Sequence, residues 1–209
     1  MAIRPSRKMD QVLLVEGDDD FHVLAALCRH QGIPESFEII KKGGYEALRD
    51  GLSNEIKSPG RRTLGIVIDA DQDIAARWQS LAGASAKAGV TLPATPDPAG
   101  TIVETPGSPR VGVWLMPDNR TTGMLEDFVA FLVPEGDALF SRATDTITAI
   151  PADLRRFSEI HATKATIHTW LAWQDEPGRP MGQAVTKRIL DPDCSQAAAF
   201  ALWLRRLFG

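Results

Sequence analysis

Only two cysteines, Cys28 and Cys194, occur among the 209 residues. Neither stands in a paired spacing such as C-x-x-C, which excludes a zinc ribbon and leaves two reduced, mostly buried thiols as the expectation. No apolar run approaches the roughly 20 residues of a membrane span. The apolar stretch after the polar, basic residues 1–10 is too short for a signal peptide. A cytoplasmic protein with no membrane partner is therefore expected. There is no G-x-x-x-x-G-K-[ST] loop to cradle nucleotide phosphates. Nor is there a G-x-S-x-G elbow or a Ser-His-Asp order. An excess of positive charge is also lacking: the formal net charge is −4. That argues against coating nucleic acid by general electrostatics, but it suits an acidic site whose field a bound divalent cation inverts.

What is present is ordinary for a globular protein: 44% hydrophobic and 24% charged residues, enough to bury a core in one domain, or one domain with an appendage. Residues 11–16 read as a short buried strand. Residues 18–30 carry helical spacing, with Asp18 as the expected N-cap and Gly32 as the stop. A second strand is expected at 37–40, then the pair Gly43-Gly44 and a helix over 45–56 with Leu48 and Leu52 on one face. Residues 63–68 form a continuous apolar run, as in a parallel strand covered on both sides. It ends at Asp69-Ala70-Asp71, and a helix over 72–87 follows. Residues 90–109 hold five prolines and predict a loop with at most a short strand at 101–104. A strand at 110–116, a turn at 117–123 and a helix from Met124 complete the alternation. From about Glu135 the chain reads as helical, with segments near 151–157, 160–173, 182–190 and 195–207. This order predicts an α/β fold: a parallel sheet flanked by helices through right-handed crossovers, with a C-terminal helical extension. The division is 8–132 for the α/β domain and 133–209 for the extension packing on it.

In such sheets ligands bind at the carboxyl ends of the strands, and here three strands end in acid. The first runs into Glu16-Gly17-Asp18-Asp19-Asp20. The third ends in Asp69-Ala70-Asp71. The last is followed by Asp118, then by Gly123-Met124-Leu125-Glu126-Asp127. Residues two apart on a strand share a side, so Asp69 and Asp71 are expected to converge. Close carboxylates raise one another's pKa, and hard oxygen ligands suit Mg²⁺ or Mn²⁺, which can polarise a phosphodiester and activate water. Each acid also has a plainer reading. A D-x-D may cap a helix, Asp18 may be a cap only, and Glu126, three residues after Gly123, may be a capping glutamate.

The stretches Val15-Glu16-Gly17-Asp18-Asp19-Asp20, Lys42-Gly43-Gly44 and Ile68-Asp69-Ala70-Asp71 resemble the Toprim domain. The spread E-G-x-x-D resembles its OLD-like branch (overcoming lysogenization defect nucleases and their stand-alone relatives). Lys164-Ala165 and Gly123-x-Leu125-Glu126-Asp127 are similar to elements of stand-alone Toprim proteins. The resemblance implies a Rossmannoid, Toprim-like sheet and Mg²⁺- or Mn²⁺-dependent hydrolysis of DNA or RNA phosphodiesters. It implies Glu16 as a metal ligand or general acid/base and Asp20 as its support. Asp69 and Asp71 would hold the ion, with Glu126 as a further ligand. Lys164 is the implied cation for developing phosphate charge, with Lys42 as the alternative. The single tyrosine, Tyr45, stands at a helix start where packing explains it, against a topoisomerase. A separate ATPase chain and a homodimer are partners the resemblance admits.

Of the other features, His168 lies one helical turn after Lys164, though a surface or packing role explains it. Trp114, Trp170, Trp173 and Trp203 read as core. The basic pairs Lys41-Lys42, Arg61-Arg62, Arg155-Arg156 and Arg205-Arg206 read as solvated surface. Beside the nuclease stand a non-catalytic Toprim module that binds nucleic acid or a partner in a defence or repair assembly, and a response-regulator-like or phosphatase-like doubly wound protein. The Glu16-Gly17 signature and the later Glu126 count against the last, and Glu16 and Asp69 on opposite edges of the sheet would restore it.

Overall fold

The computed structural model describes residues 10–209, so residues 8 and 9 of the expected first domain lie outside the described residues. The apolar runs become four parallel strands: β1 (Gln11–Val15), β2 (Glu38–Lys41), β3 (Thr63–Asp69) and β5 (Arg110–Met116), with a short antiparallel β4 (Thr101–Val103) at one edge, in the order β2-β1-β3-β5-β4. The expected α/β architecture is therefore present. Every crossover returns its helix to a sheet face: α1 (Asp18–His30), α2 (Tyr45–Ile56), α3 (Ile74–Ala86) and, after β5, α4 (Leu125–Phe131).

Side-chain alternation sends each strand to two cores. Val12, Leu14, Leu64, Ile66, Ile68, Val111 and Val113 pack with α2 and α3 on one face. Leu13, Val15, Val67, Trp114 and Met116 face the other core, which holds α1 and most of the later helices. Those helices are α5 (Ala138–Thr148), α6 (Ala162–Ala172), α7 (Met181–Thr186) and α8 (Ser195–Phe208). They share one core with the sheet. Leu207 of α8 sits over the paired glycines Gly65 and Gly112 of β3 and β5. A Cβ on Gly112 would come within 2.5 Å of Leu207 Cδ2, and one on Gly65 within 2.5 Å of Leu13 Cδ1. The bare backbone is what admits the helix.

Several local expectations change. Residues 151–157 form turns instead of a helix, and the helix lies earlier, at α5, where Asp137 caps it by accepting from Phe140 N at 2.7 Å. Pro151 at the start of the expected segment is followed by an interrupted pattern, so no stripe develops to bury. Asp18 is the first residue of α1 and Gly17 is its N-cap. Helix α3 starts later than expected because Asp73 caps it, and α7 is only a short turn pair. Trp173, read as core, is 40% exposed. It follows the last turn of α6, beyond the buried stripe of Ile167, Trp170 and Leu171. No helix among the described residues is long and apolar enough to cross a membrane.

Candidate active site

Glu16 leaves β1 and is fixed from three directions. Gly43 N and Gly44 N both donate to its carbonyl, at 2.9 Å each, while its Oε1 accepts from Asp69 N at 2.9 Å. The glycines hold φ of 81° and 111°, a region that side-chain-bearing residues avoid. The Lys42-Gly43-Gly44 turn is thus the clasp of Glu16. Because β1 and β3 are hydrogen-bonded neighbours, Glu16 and Asp69 meet at one point of the rim and not on opposite edges of the sheet.

Asp20 lies one turn into α1. Its Oδ2 accepts from Gly17 N at 3.0 Å, closing the helix start. Its Oδ1 is buried with no hydrogen-bond partner, in a residue only 8% exposed. Such an orphaned oxygen carries a real penalty unless something completes it. Burial, then the charge of Glu16, pushes the Asp20 carboxyl up to about 6.

Asp69 ends β3, and its Oδ1 accepts from Leu125 N at the start of α4 at 2.9 Å. Burial first, then Glu16, Asp20 and Glu126, pushes its carboxyl up to about 8. Glu16 is likewise held above its ordinary value, mainly by burial, against the lowering effects of Asp69 N–H and of Arg77. Burial and mutual repulsion make the four acids costly to hold as anions together.

Glu126 is 4% exposed and pairs with Lys164 Nζ at 2.7 Å. It is not the capping residue: Asp127 does that work, accepting from Met124 N at 2.7 Å. What carries Glu126 to the rim is a two-bond bridge between Asp71 and Gly123, at 2.8 and 2.9 Å, which ties the loop after β5 to the end of β3. Gly123 has φ of 142°, and a Cβ there would come within 2.7 Å of Asp127 Oδ2. Lys164 arrives from α6, half-exposed, and its contact with Glu126 holds its amine above the ordinary lysine value, with Asp19 and Asp69 adding to the effect.

The expectation that Asp71 shares the side of Asp69 is corrected. The strand ends at Asp69, Asp71 turns to φ of 58°, and its Oδ2 accepts from Arg77 Nη2 at 2.6 Å. Strand alternation does not extend past the strand. Lys42, the alternative cation, is committed elsewhere: it bonds Glu55 at 3.1 Å, beside the buried Arg61 that also pairs with Glu55 at 3.0 Å. Asp18 pairs with Lys41 in solvent. Asp118 closes its own turn, accepting from Thr121 N at 2.8 Å. His168 is exposed. Arg77 is the site residue that sequence reading missed. The signal was its place one turn into the helix that follows the D-x-D.

The structure thus brings together Glu16, Asp20, Asp69 and Glu126 with Lys164, and sets Asp71 with Arg77 at the margin. Each of the four acids is oriented by a donor on one oxygen. Among the described residues no three of them close to metal-ligand distance, each being turned toward its own donor. The donor chemistry, all carboxylate and including the orphaned Asp20 Oδ1, fits a hard divalent cation in place of a soft one. A family model described as "Protein of unknown function (DUF3226)" matches residues 10–209. No curated protein and no solved structure matches the chain.

Proposed function

The chain belongs to the DUF3226 family, and from its carboxylate rim we propose that it hydrolyses nucleic-acid phosphodiesters with a bound divalent cation, in the manner of a Toprim-type, OLD-like nuclease. The observation that carries the reading is the buried, mutually repelling set of Glu16, Asp20, Asp69 and Glu126 with one lysine reaching into it. Such a set is unstable as four anions and is relieved by a cation. Asp69, Asp20 and Glu126 would hold Mg²⁺ or Mn²⁺, with Glu16 beside them. When bound, the ion supplies Lewis-acid polarisation of the phosphate and a more acidic water.

The residues divide the remaining work. Glu16, clasped by Gly43 and Gly44, takes the proton of the attacking water. Lys164 exchanges its partner Glu126 for the phosphoryl oxygens and neutralises the charge that develops there. Asp71 holds Arg77 instead of the ion. The Toprim likeness of the sheet, the choice of DNA or RNA and any ATPase partner belong to this same reading.

The test is a titration of Mg²⁺ and Mn²⁺ by calorimetry, wild type against Asp69→Ala, with single-stranded, duplex and supercoiled substrates then offered to the same samples. Binding and cleavage by the wild type, both lost in a folded Asp69→Ala protein, are the expected results. Metal-dependent cleavage retained in that variant would refute the assignment. Metal binding without turnover on any substrate would favour a non-catalytic nucleic-acid-binding module.

A further inference from the structure

Beside the carboxylate rim, between the first turns of α2 and α3, lies a cleft of about 380 Å³ whose lining includes Tyr45, Arg49, Asp71, Gln72, Arg77 and Ser80. Arg77 is fixed in it. Its guanidinium carbon stands 3.7 Å from the centroid of the Tyr45 ring, and the side chain is only 14% exposed. One N–H goes to Asp71 at 2.6 Å, and among the described residues the guanidinium makes no other hydrogen bond. A guanidinium carries five donors in a planar fork, so most of them remain for a ligand. The acids of the cleft are already engaged: Asp71 by Arg77, Asp73 by Ala76 N at 2.9 Å, and Glu46 by Arg49. Arg49 lies 5.8 Å from the centroid of the same Tyr45 ring, and its ion-pair partners, Glu46 and Asp50, are exposed. Such pairs contribute little, and it can turn to a stronger acceptor.

Position gives the cleft its meaning. Tyr45 follows the Gly44 that clasps Glu16, Asp71 is two residues from Asp69, and the charge of Arg77 is felt at Glu16. The cleft continues past Arg49 and Ser80 into a groove of about 610 Å³ between α2 and α3 that reaches Lys87. We infer that this cleft is the seat of the phosphate next to the scissile one on a single nucleic-acid strand, gripped by Arg77 and then by Arg49. The inference rests on the nucleic-acid reading proposed above and deepens it. An arginine stacked and tethered before the ligand arrives loses little side-chain freedom on binding. A planar fork matches phosphate oxygens two at a time.

The test reads binding, not turnover. Fluorescein-labelled single-stranded DNA and RNA are titrated in EDTA, by anisotropy, with wild type, Arg77→Gln, Arg77→Lys and Arg142→Gln. Arg142 is an exposed residue of α5 and controls for net charge. Arg77→Gln should weaken binding about tenfold and make the salt dependence shallower by about 0.7 in the log–log slope, as expected for one lost contact to a single strand. Arg77→Lys, which keeps the charge but not the fork or the stack, should weaken it less, and its folded state covers the event that Arg77→Gln unfolds. Arg142→Gln should bind as wild type. Wild-type binding by both Arg77 variants, or an equal loss in Arg142→Gln, would overturn the inference while leaving the nuclease reading standing. No binding of either strand by the wild type, in EDTA or with Ca²⁺ in its place, would overturn both.

Discussion

Asp69 offers the sharpest quantitative handle on the site. Its carboxyl is moved from 3.8 to about 8 by burial and by three neighbouring acids. Between those values the folded protein keeps a proton that the unfolded chain has released. Stability is then fully present below about pH 4 and falls as pH rises through 8, by up to about 1.4 kcal/mol per pH unit for one such group. Asp20, at about 6, and the raised Glu16 act with the same sign. Because these groups are coupled, their effects do not add, and relaxation of the rim lowers the sum, so a net loss on the order of 3 kcal/mol by pH 8.5 is the working figure. Asp69→Asn removes it. The amide oxygen still accepts from Leu125 N, and the amide NH₂ turns a repulsion into a donor toward its acidic neighbours. In EDTA at pH 8.5 the variant should therefore melt about 6–12 °C above the wild type, at roughly 2–4 °C per kcal/mol for a chain of this size. At pH 5 the two should agree within a few degrees. Saturating Mg²⁺ should raise the wild-type melting temperature at pH 8.5 and leave the variant unmoved. Thermal melts across pH 4.5–9 decide the matter. A wild-type curve that is flat or rises with pH, together with a less stable Asp69→Asn at pH 8.5, would refute the electrostatic account of the rim.

Three further outcomes follow from the geometry. Lys164→Met frees Glu126 from its 2.7 Å partner, so calorimetry should show Mg²⁺ binding strengthened by about tenfold while cleavage falls by at least 100-fold; weaker metal binding would remove Lys164 from the site. Gly123→Ala places a Cβ 2.7 Å from Asp127 Oδ2 at a φ of 142°, and urea denaturation should register a loss of about 1–3 kcal/mol, with cleavage reduced beyond what unfolding explains because Glu126 shifts. Gly112→Ala forces a Cβ to within 2.5 Å of Leu207 and should destabilise by about 1–3 kcal/mol; made in a Leu207→Ala background, which alone removes about 2–5 kcal/mol, the same change should be nearly neutral, and strict additivity would show that the two do not touch.

The sheet was legible because its strands are fully buried and so read as unbroken apolar runs, and the acids at their ends mark which rim matters. Helix boundaries failed where a cap decides them. Asp73 starts α3 and Asp137 starts α5, and either could as well have been a loop residue. In the site, Glu16, Asp20, Asp69 and Glu126 were visible because each follows its strand or opens its helix. Asp71 was misread because alternation was carried one step past the end of β3, where a bridge to Gly123 sets the backbone. For Arg77 the sequence offered only its place one turn into the helix after the D-x-D, not its role. Its role depends on a tyrosine and an aspartate from two other segments, and nothing in a local pattern signals a stack between distant elements. Lys164 lies far along the chain from the motif region, and only the fold of α6 against α4 brings it to Glu126.

The seat of α8 on two glycines bears on the order in which the chain matures. Residues up to about 131 contain the sheet and all four rim acids, yet Lys164 and the helix that covers Gly65 and Gly112 are made later. Glycine offers no side chain to shelter its strand, so until Leu207 arrives the nascent sheet carries a flat, sticky strip along β3 and β5. Acids that repel one another above that strip have no lysine to quiet them. A growing polypeptide thus carries an unquieted set of rim acids until α6 is made and an adhesive sheet face until α8 is delivered.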